Sequence, residues 1–150
     1  MALRALGAGK KVFIAQFVKG IAYSETDAVK AFTPDIEVKQ YGLECFIKKA
    51  PTQKDIDKAR EGLNEVKNII GSNKYDLVIL DEANIALYYN LFTVGELIGI
   101  LKNKPAGMEI VITGRYAPAE LLQIADLVTE MKEVKHYYNR GTEARKGIEY

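Results

Sequence analysis

The chain has 150 residues, 48% hydrophobic and 27% charged, with a formal net charge of +1; this suits one globular domain with a buried core and argues against a dominant nucleic-acid or membrane-surface field. One cysteine, Cys45, excludes an internal disulfide and fits a reducing, cytoplasmic setting. No apolar run approaches the roughly 20 residues of a membrane span, and Met1 to Lys11 is too short and mixed for a secretory signal.

Along the chain, Ala2-Leu3-Arg4-Ala5-Leu6 reads as the end of a helix. Gly7-Ala8-Gly9-Lys10-Lys11 imitates a phosphate loop, but no strand precedes it and no Ser or Thr follows the lysines. It reads instead as a helix stop leading into a strand from Val12 to Val18. Lys19, just past that strand, either neutralises phosphate charge or is simply solvated. Ser24 to Asp27 has the spacing of a helix cap, and its Glu25 is a candidate second carboxylate or an indirect holder of Mg²⁺. A strand follows from Ile36 to Tyr41.

Thr52-Gln53-Lys54-Asp55 caps a helix that places Ile56, Ala59, Leu63, Val66 and Ile70 on one face, with Gly71 as its expected stop. Tyr75-Asp76 then leads into Leu77-Val78-Ile79-Leu80-Asp81-Glu82. Four apolar residues in a row predict a strand covered on both faces. It delivers two carboxylates to its C-terminal end, where ligands bind in open α/β sheets. Paired acids there hold Mg²⁺ against a nucleotide's phosphates, directly or through water. The alternative is that one caps the next helix and the other is solvated. Successive strand residues point to opposite faces, so one of the two is expected to face a ligand.

Tyr88 and Tyr89 either pack or line the pocket of a flat ligand. Thr93 to Glu96 is a regular capping box, opening a helix with Val94, Leu97, Ile98 and Leu101 inward. The strand Glu109 to Thr113 ends in Gly114-Arg115, where Arg115 clamps a phosphate or makes a surface ion pair. A helix near Pro118 is expected to bury Leu121, Leu122 and Ala125, followed by a fifth strand from Leu127 to Met131. His136 is the only histidine, so one chain holds no His-based metal cluster. Strand and helix in turn predict a doubly wound, mainly parallel sheet.

These segments together resemble the ATP:corrinoid adenosyltransferases of the cobalamin pathway. The resemblance spans the chain and rests on Val12 to Gly20, Tyr75 to Ala83, Thr113-Gly114-Arg115, Ala125 to Met131, Val134-Lys135-His136 and Ala144 to Tyr150. It implies an α/β fold of the P-loop NTPase (RecA-like) class, three-layered, and a homodimer in the cytoplasm. It also implies a reaction in which a reduced Co(I) corrinoid attacks the 5′ carbon of ATP and releases triphosphate. Cobalt is then the nucleophile, and no catalytic Ser, Cys or His is expected.

By similarity Glu82 is the metal-binding carboxylate, for Mg²⁺ or Mn²⁺, with Asp81 beside it. Lys19, Glu25 and Arg115 lie around the nucleotide, and Phe46 is the one obvious aromatic of the corrinoid region Gly42 to Ile47. A reductase is a possible further partner. Family members begin with a strand and a glycine-rich phosphate loop, which the 150 residues lack, so the expectation is a single domain over residues 1–150, truncated at its N-terminus. Two alternatives stand beside the adenosyltransferase: a non-catalytic remnant that binds a corrinoid or a partner but not ATP, and an ATPase of the P-loop class with another purpose.

Overall fold

The computed structural model describes residues 1–20, 28–29, 34–43, 47 and 50–148. The predicted cap at Ser24, and Glu25, Cys45 and Phe46, lie outside the described residues. Helix α1 (Ala2–Gly7) feeds β1 (Val12–Phe17), followed by β2 (Ile36–Tyr41), α2 (Gln53–Ser72), β3 (Leu77–Asp81), α3 (Ala83–Tyr88), α4 (Val94–Leu101), β4 (Glu109–Ile112) and α5 (Ala119–Ile124). A single turn of 3₁₀ helix covers Tyr137–Arg140. The strands form one all-parallel sheet in the order β2-β1-β3-β4, the predicted α/β arrangement.

Period-two alternation divides the sheet into two faces. Phe13, Ala15, Phe17, Val78 and Leu80 face one way and join Ala59, Leu63, Val66, Ile70, Leu91, Phe92 and Leu97 in the larger core. Val12, Ile14, Ile36, Val38, Leu77, Ile79 and Val111 face the other way, where α1 contributes Ala2, Ala5 and Leu6. Both predicted capping boxes form. Thr52 and Thr93 each accept from the backbone N–H three residues on, and Asp55 and Glu96 return the bond.

Four details differ from the sequence reading. The α2 helix runs through Gly71 and stops at Asn73, whose φ of 53° is the left-handed stop that an Asn tolerates. Val18 does not extend β1 but turns sharply at φ 56°. On α5 only Leu121 is buried; Leu122 and Ala125 are exposed, because this two-turn helix touches the protein along a single row. The fifth strand, Leu127 to Met131, does not form. Leu127 and Met131 are 81% and 92% exposed. A strand needs a hydrogen-bonded neighbour, and this segment pairs with no described strand.

Gly7 to Lys11 behaves as predicted. α1 ends at Gly7, Gly9 takes φ 72°, and Lys10 forms an ion pair with Asp76. The turn sits at the amino ends of the strands, opposite the end where a phosphate site belongs.

Candidate functional site

The register of the sheet aligns one polar side chain at the carboxyl end of each strand. Gln16 pairs with Gln40 on one side and with Asp81 on the other. Counting by twos from the apolar residues of α1's face puts Gln40, Gln16, Asp81 and Thr113 in one row on that face. Hydrogen bonds join them. Gln40 Nε2 donates to Gln16 Oε1 at 3.1 Å, and Gln16 Nε2 donates to Asp81 Oδ2 at 3.2 Å. From the far side the Thr113 hydroxyl donates to Asp81 Oδ1 at 2.8 Å. Lys19 Nζ completes the set at 3.0 Å from Asp81 Oδ2. Lys19 is therefore neither freely solvated nor isolated: it is half-buried and held by Asp81.

Asp81 thus spends both oxygens on protein donors. Glu82 does not. It enters α3 from the left-handed region, φ 58°, and occupies the capping position without a side-chain cap hydrogen bond. Its backbone N–H donates to Thr113 Oγ1 at 3.1 Å. Its carboxylate leans over Gly114, so close that a methyl group added there would lie 3.2 Å from Oε2. Among the described residues no protein donor reaches that carboxylate. The capping alternative for this acid pair is therefore not what the chain adopts.

Gly114 is required on two grounds. Its φ is 117°, and a Cβ would also lie 3.1 Å from Asn84 Cβ and 3.3 Å from Glu82 Cα. Asn84 ties the two loops together: its N–H donates to the Thr113 carbonyl and its Nδ2 to the Gly114 carbonyl, each at 3.2 Å. Its Oδ1 is buried with no hydrogen-bond partner among the described residues. Arg115 is exposed, with its guanidinium 5.7 Å from the centre of the Tyr116 ring. No ion pair of Arg115 is formed among the described residues, so the surface-pair alternative is not realised there.

Backbone strain gathers at the same end. Among the described residues five non-glycine residues have positive φ, and two are asparagines, which tolerate it. The other three, Val18, Glu82 and Tyr116, follow β1, β3 and β4 in turn. Strain of about 1–3 kcal/mol per residue persists where the surroundings over-determine it, as at binding sites. Behind Val18, two backbones clasp. A Cβ on Gly20 would meet Leu43 at 2.4 Å, and one on Gly42 would meet the Lys19 nitrogen at 2.4 Å. This brings the Lys19 turn against the Gly42–Leu43 stretch.

The donor set is hard. Glu82 supplies the carboxylate free of protein donors, Asp81 and the Thr113 hydroxyl lie beside it already hydrogen-bonded, and among the described residues no three His, Cys, Asp or Glu gather into a metal cage. That composition fits Mg²⁺ or Mn²⁺, which takes one or two carboxylates and fills its remaining positions with water and substrate phosphate.

Of the six residues predicted around the site, the structure joins Lys19 to Asp81, sets Glu82 over Gly114 and leaves Arg115 one residue beyond that glycine, while Glu25 and Phe46 lie outside the described residues. Sequence reasoning missed Gln16, Gln40 and Asn84. Gln16 had a legible signal, a single amide inside the apolar run Val12 to Phe17. Asn84 had none, because its role depends on β4 returning beside β3.

A family model described as ATP:corrinoid adenosyltransferase BtuR/CobO/CobP matches residues 1–150. Among curated proteins, the corrinoid adenosyltransferase of Pseudomonas aeruginosa is 34% identical over 100% of this chain and 74% of its own length. One from Sinorhizobium is 32% identical, over 100% and 72%. The Escherichia coli K12 protein of the same name is 30% identical over 99% of this chain and 76% of its own.

Proposed function

The chain belongs to the ATP:corrinoid adenosyltransferase family, and from that premise we propose that it transfers the 5′-deoxyadenosyl group of ATP to the Co(I) centre of a reduced corrinoid. The cobalt electron pair forms the Co–C5′ bond. The C5′–O bond breaks, and its electrons leave with triphosphate. Atoms and charge balance without a protein nucleophile, so the chain's task is to hold the two substrates in line and stabilise the departing charge.

The observation that carries this reading is the Glu82 carboxylate, held over Gly114 with no protein donor among the described residues. Glu82 would hold Mg²⁺ or Mn²⁺ directly, with Asp81 beside it acting through water or through Thr113. The ion, when bound, offsets charge on the phosphate oxygens. Asp81 keeps Lys19 and Thr113 in place. Arg115, exposed one residue beyond the glycine that Glu82 leans on, would donate bidentately to phosphate oxygens. Glu25 and Phe46 stay in the proposal on resemblance alone, as nucleotide-side and corrinoid-side residues. A cytoplasmic homodimer supplied with Co(I) by a reductase completes the reading.

The test is an anaerobic mixture of the chain, ATP, Mg²⁺ and a chemically reduced corrinoid. The expected result is ATP-dependent conversion of the Co(I) spectrum to that of the photolabile adenosylated product. Glu82→Gln should lower the rate at least a hundredfold while leaving the unfolding midpoint unchanged, since no protein donor is lost. No conversion by this chain or by an N-terminally extended one would sink the assignment.

A further inference from the structure

Three tyrosines form a continuous ladder at the rim of the Glu82 site. The rings of Tyr88 and Tyr116 are stacked, with centroids 4.4 Å apart and planes 29° from parallel. Tyr89 meets Tyr88 edge-on at 5.4 Å, and its hydroxyl donates to the Ile47 carbonyl at 3.3 Å. The ladder therefore runs from the Arg115 turn to the stretch that contains Ile47.

Packing does not account for the outer two rungs. Tyr88 is 56% exposed and Tyr116 59% exposed, so the pair contributes little to either core. Tyr116 moreover holds φ 64°, a region bulky side chains rarely enter. Stacking on one neighbouring ring at best offsets such strain. An exposed aromatic in a strained turn, two residues beyond the glycine that Glu82 leans on, is the pattern of a residue placed for a ligand. The Cα of Tyr116 is at most about 7 Å from that of Gly114.

We propose that the Tyr88–Tyr116 stack is a platform on which the planar conjugated ring of a substrate docks, displacing or capped by the Arg115 guanidinium that lies over the Tyr116 ring at 5.7 Å, two residues beyond the glycine that Glu82 leans on. This rests on the adenosyl-transfer reading, which supplies two rings of the required chemistry, the purine of the nucleotide and the corrin macrocycle. Tyr116 is then a positioning and affinity residue. Stacking a ring on an aromatic side chain is worth about one to two orders of magnitude in affinity.

The experiment is calorimetric titration of the wild-type chain, Tyr116→Phe, Tyr116→Gly and Tyr88→Leu, with adenosine alone and with cob(II)inamide alone. Glycine relieves the positive φ, so Tyr116→Gly should fold at least as well as wild type, and thermal melts check this. The expected result is a roughly tenfold weaker Kd in one arm for Tyr116→Gly and for Tyr88→Leu, with Tyr116→Phe within twofold of wild type. The affected arm identifies the ring. Unchanged affinities in both arms overturn the platform, as does a loss that phenylalanine fails to rescue or wild-type binding to neither probe. Conversion in the Co(I) assay, measured separately, shows whether the adenosyl-transfer reading survives that outcome.

Discussion

At the scale of single residues, the site is organised by which carboxylate is already satisfied. Asp81 accepts from Thr113, Gln16 and Lys19, whereas Glu82 is presented by a left-handed backbone turn over Gly114. Buried polar groups that keep their hydrogen bonds rigidify a site, and one left free is the group available to a ligand. Gly114 is the hinge of that division. Gly114→Ala should cost about 1–3 kcal/mol, from a Cβ at φ 117° and from contact with Asn84 and Glu82. Urea unfolding should show the lower midpoint with an unchanged slope, and adenosyl transfer should fall further than the stability loss explains. An unaltered midpoint would mean that the turn relaxes freely and does not aim Glu82.

At the scale of elements, the handedness of the connections sets where any further strand can go. The β2-to-β3 crossover runs through α2 on the larger-core face, and β3 to β4 runs through α3 and α4 on the same face; both move toward β4. Val29, on the path from β1 to β2, lies on the opposite face, and that step moves away from β4. This is the consistent right-handed rule of parallel units. Helix α1 lies on the second face and enters β1. A strand feeding α1 would have to lie on the β4 side of β1, and with β3 and β4 already in place it falls on β4's outer edge. The segment Leu127 to Met131, reached through α5 and Leu121 on the first face, is directed to the same side. It has the pattern of a strand and pairs with none of the described strands. An N-terminal extension carrying a strand and a glycine-rich loop should therefore slow amide exchange in both Glu109–Ile112 and Leu127–Met131 by at least tenfold. Protection appearing along β2 instead would overturn this topology.

The whole molecule also carries electrostatics away from the site. On the β2 edge, Tyr41 Oη donates to Glu65 at 2.7 Å, and Lys39 pairs with both Glu65 and Glu37. Tyr75 in turn donates to Glu37. Burial, followed by the Glu65 hydrogen bond, raises the Tyr41 phenol well above its ordinary value. The Lys39 hydrogen bond, then that of Tyr41, holds Glu65 below the ordinary glutamate value of 4.5. The Tyr75 hydrogen bond lowers Glu37 in the same way. A carboxyl depressed on folding contributes stability that is full above its unfolded pKa and lost as pH falls through its folded one. Stability should thus be flat near neutrality and fall below about pH 4.5. In Glu65→Gln the acid-side slope should be shallower, as measured by urea unfolding at pH 7 and pH 4. An identical slope would show that Glu65 is not part of the acid response.

Much of this was legible in the order of residues. Continuous apolar runs marked β1, β3 and β4, period 3.6 and two capping boxes marked α2 and α4, and Leu77 to Glu82 announced a strand that carries two carboxylates at its C-terminal end. Those signals are local: each depends on the backbone's repeat and on hydrogen bonds within a few residues. The fifth strand was misread for the same reason, since Leu127 to Met131 has strand periodicity and lacks the neighbour that makes periodicity into structure. Only the tertiary arrangement decided that Gln16 and Gln40 line up with Asp81, that Lys19 is held 62 positions from its partner, and that Tyr88 stacks on Tyr116. Such contacts depend on register between strands far apart in the chain. A one-residue slip of a strand would carry its member of the Gln40–Gln16–Asp81 row to the opposite face of the sheet.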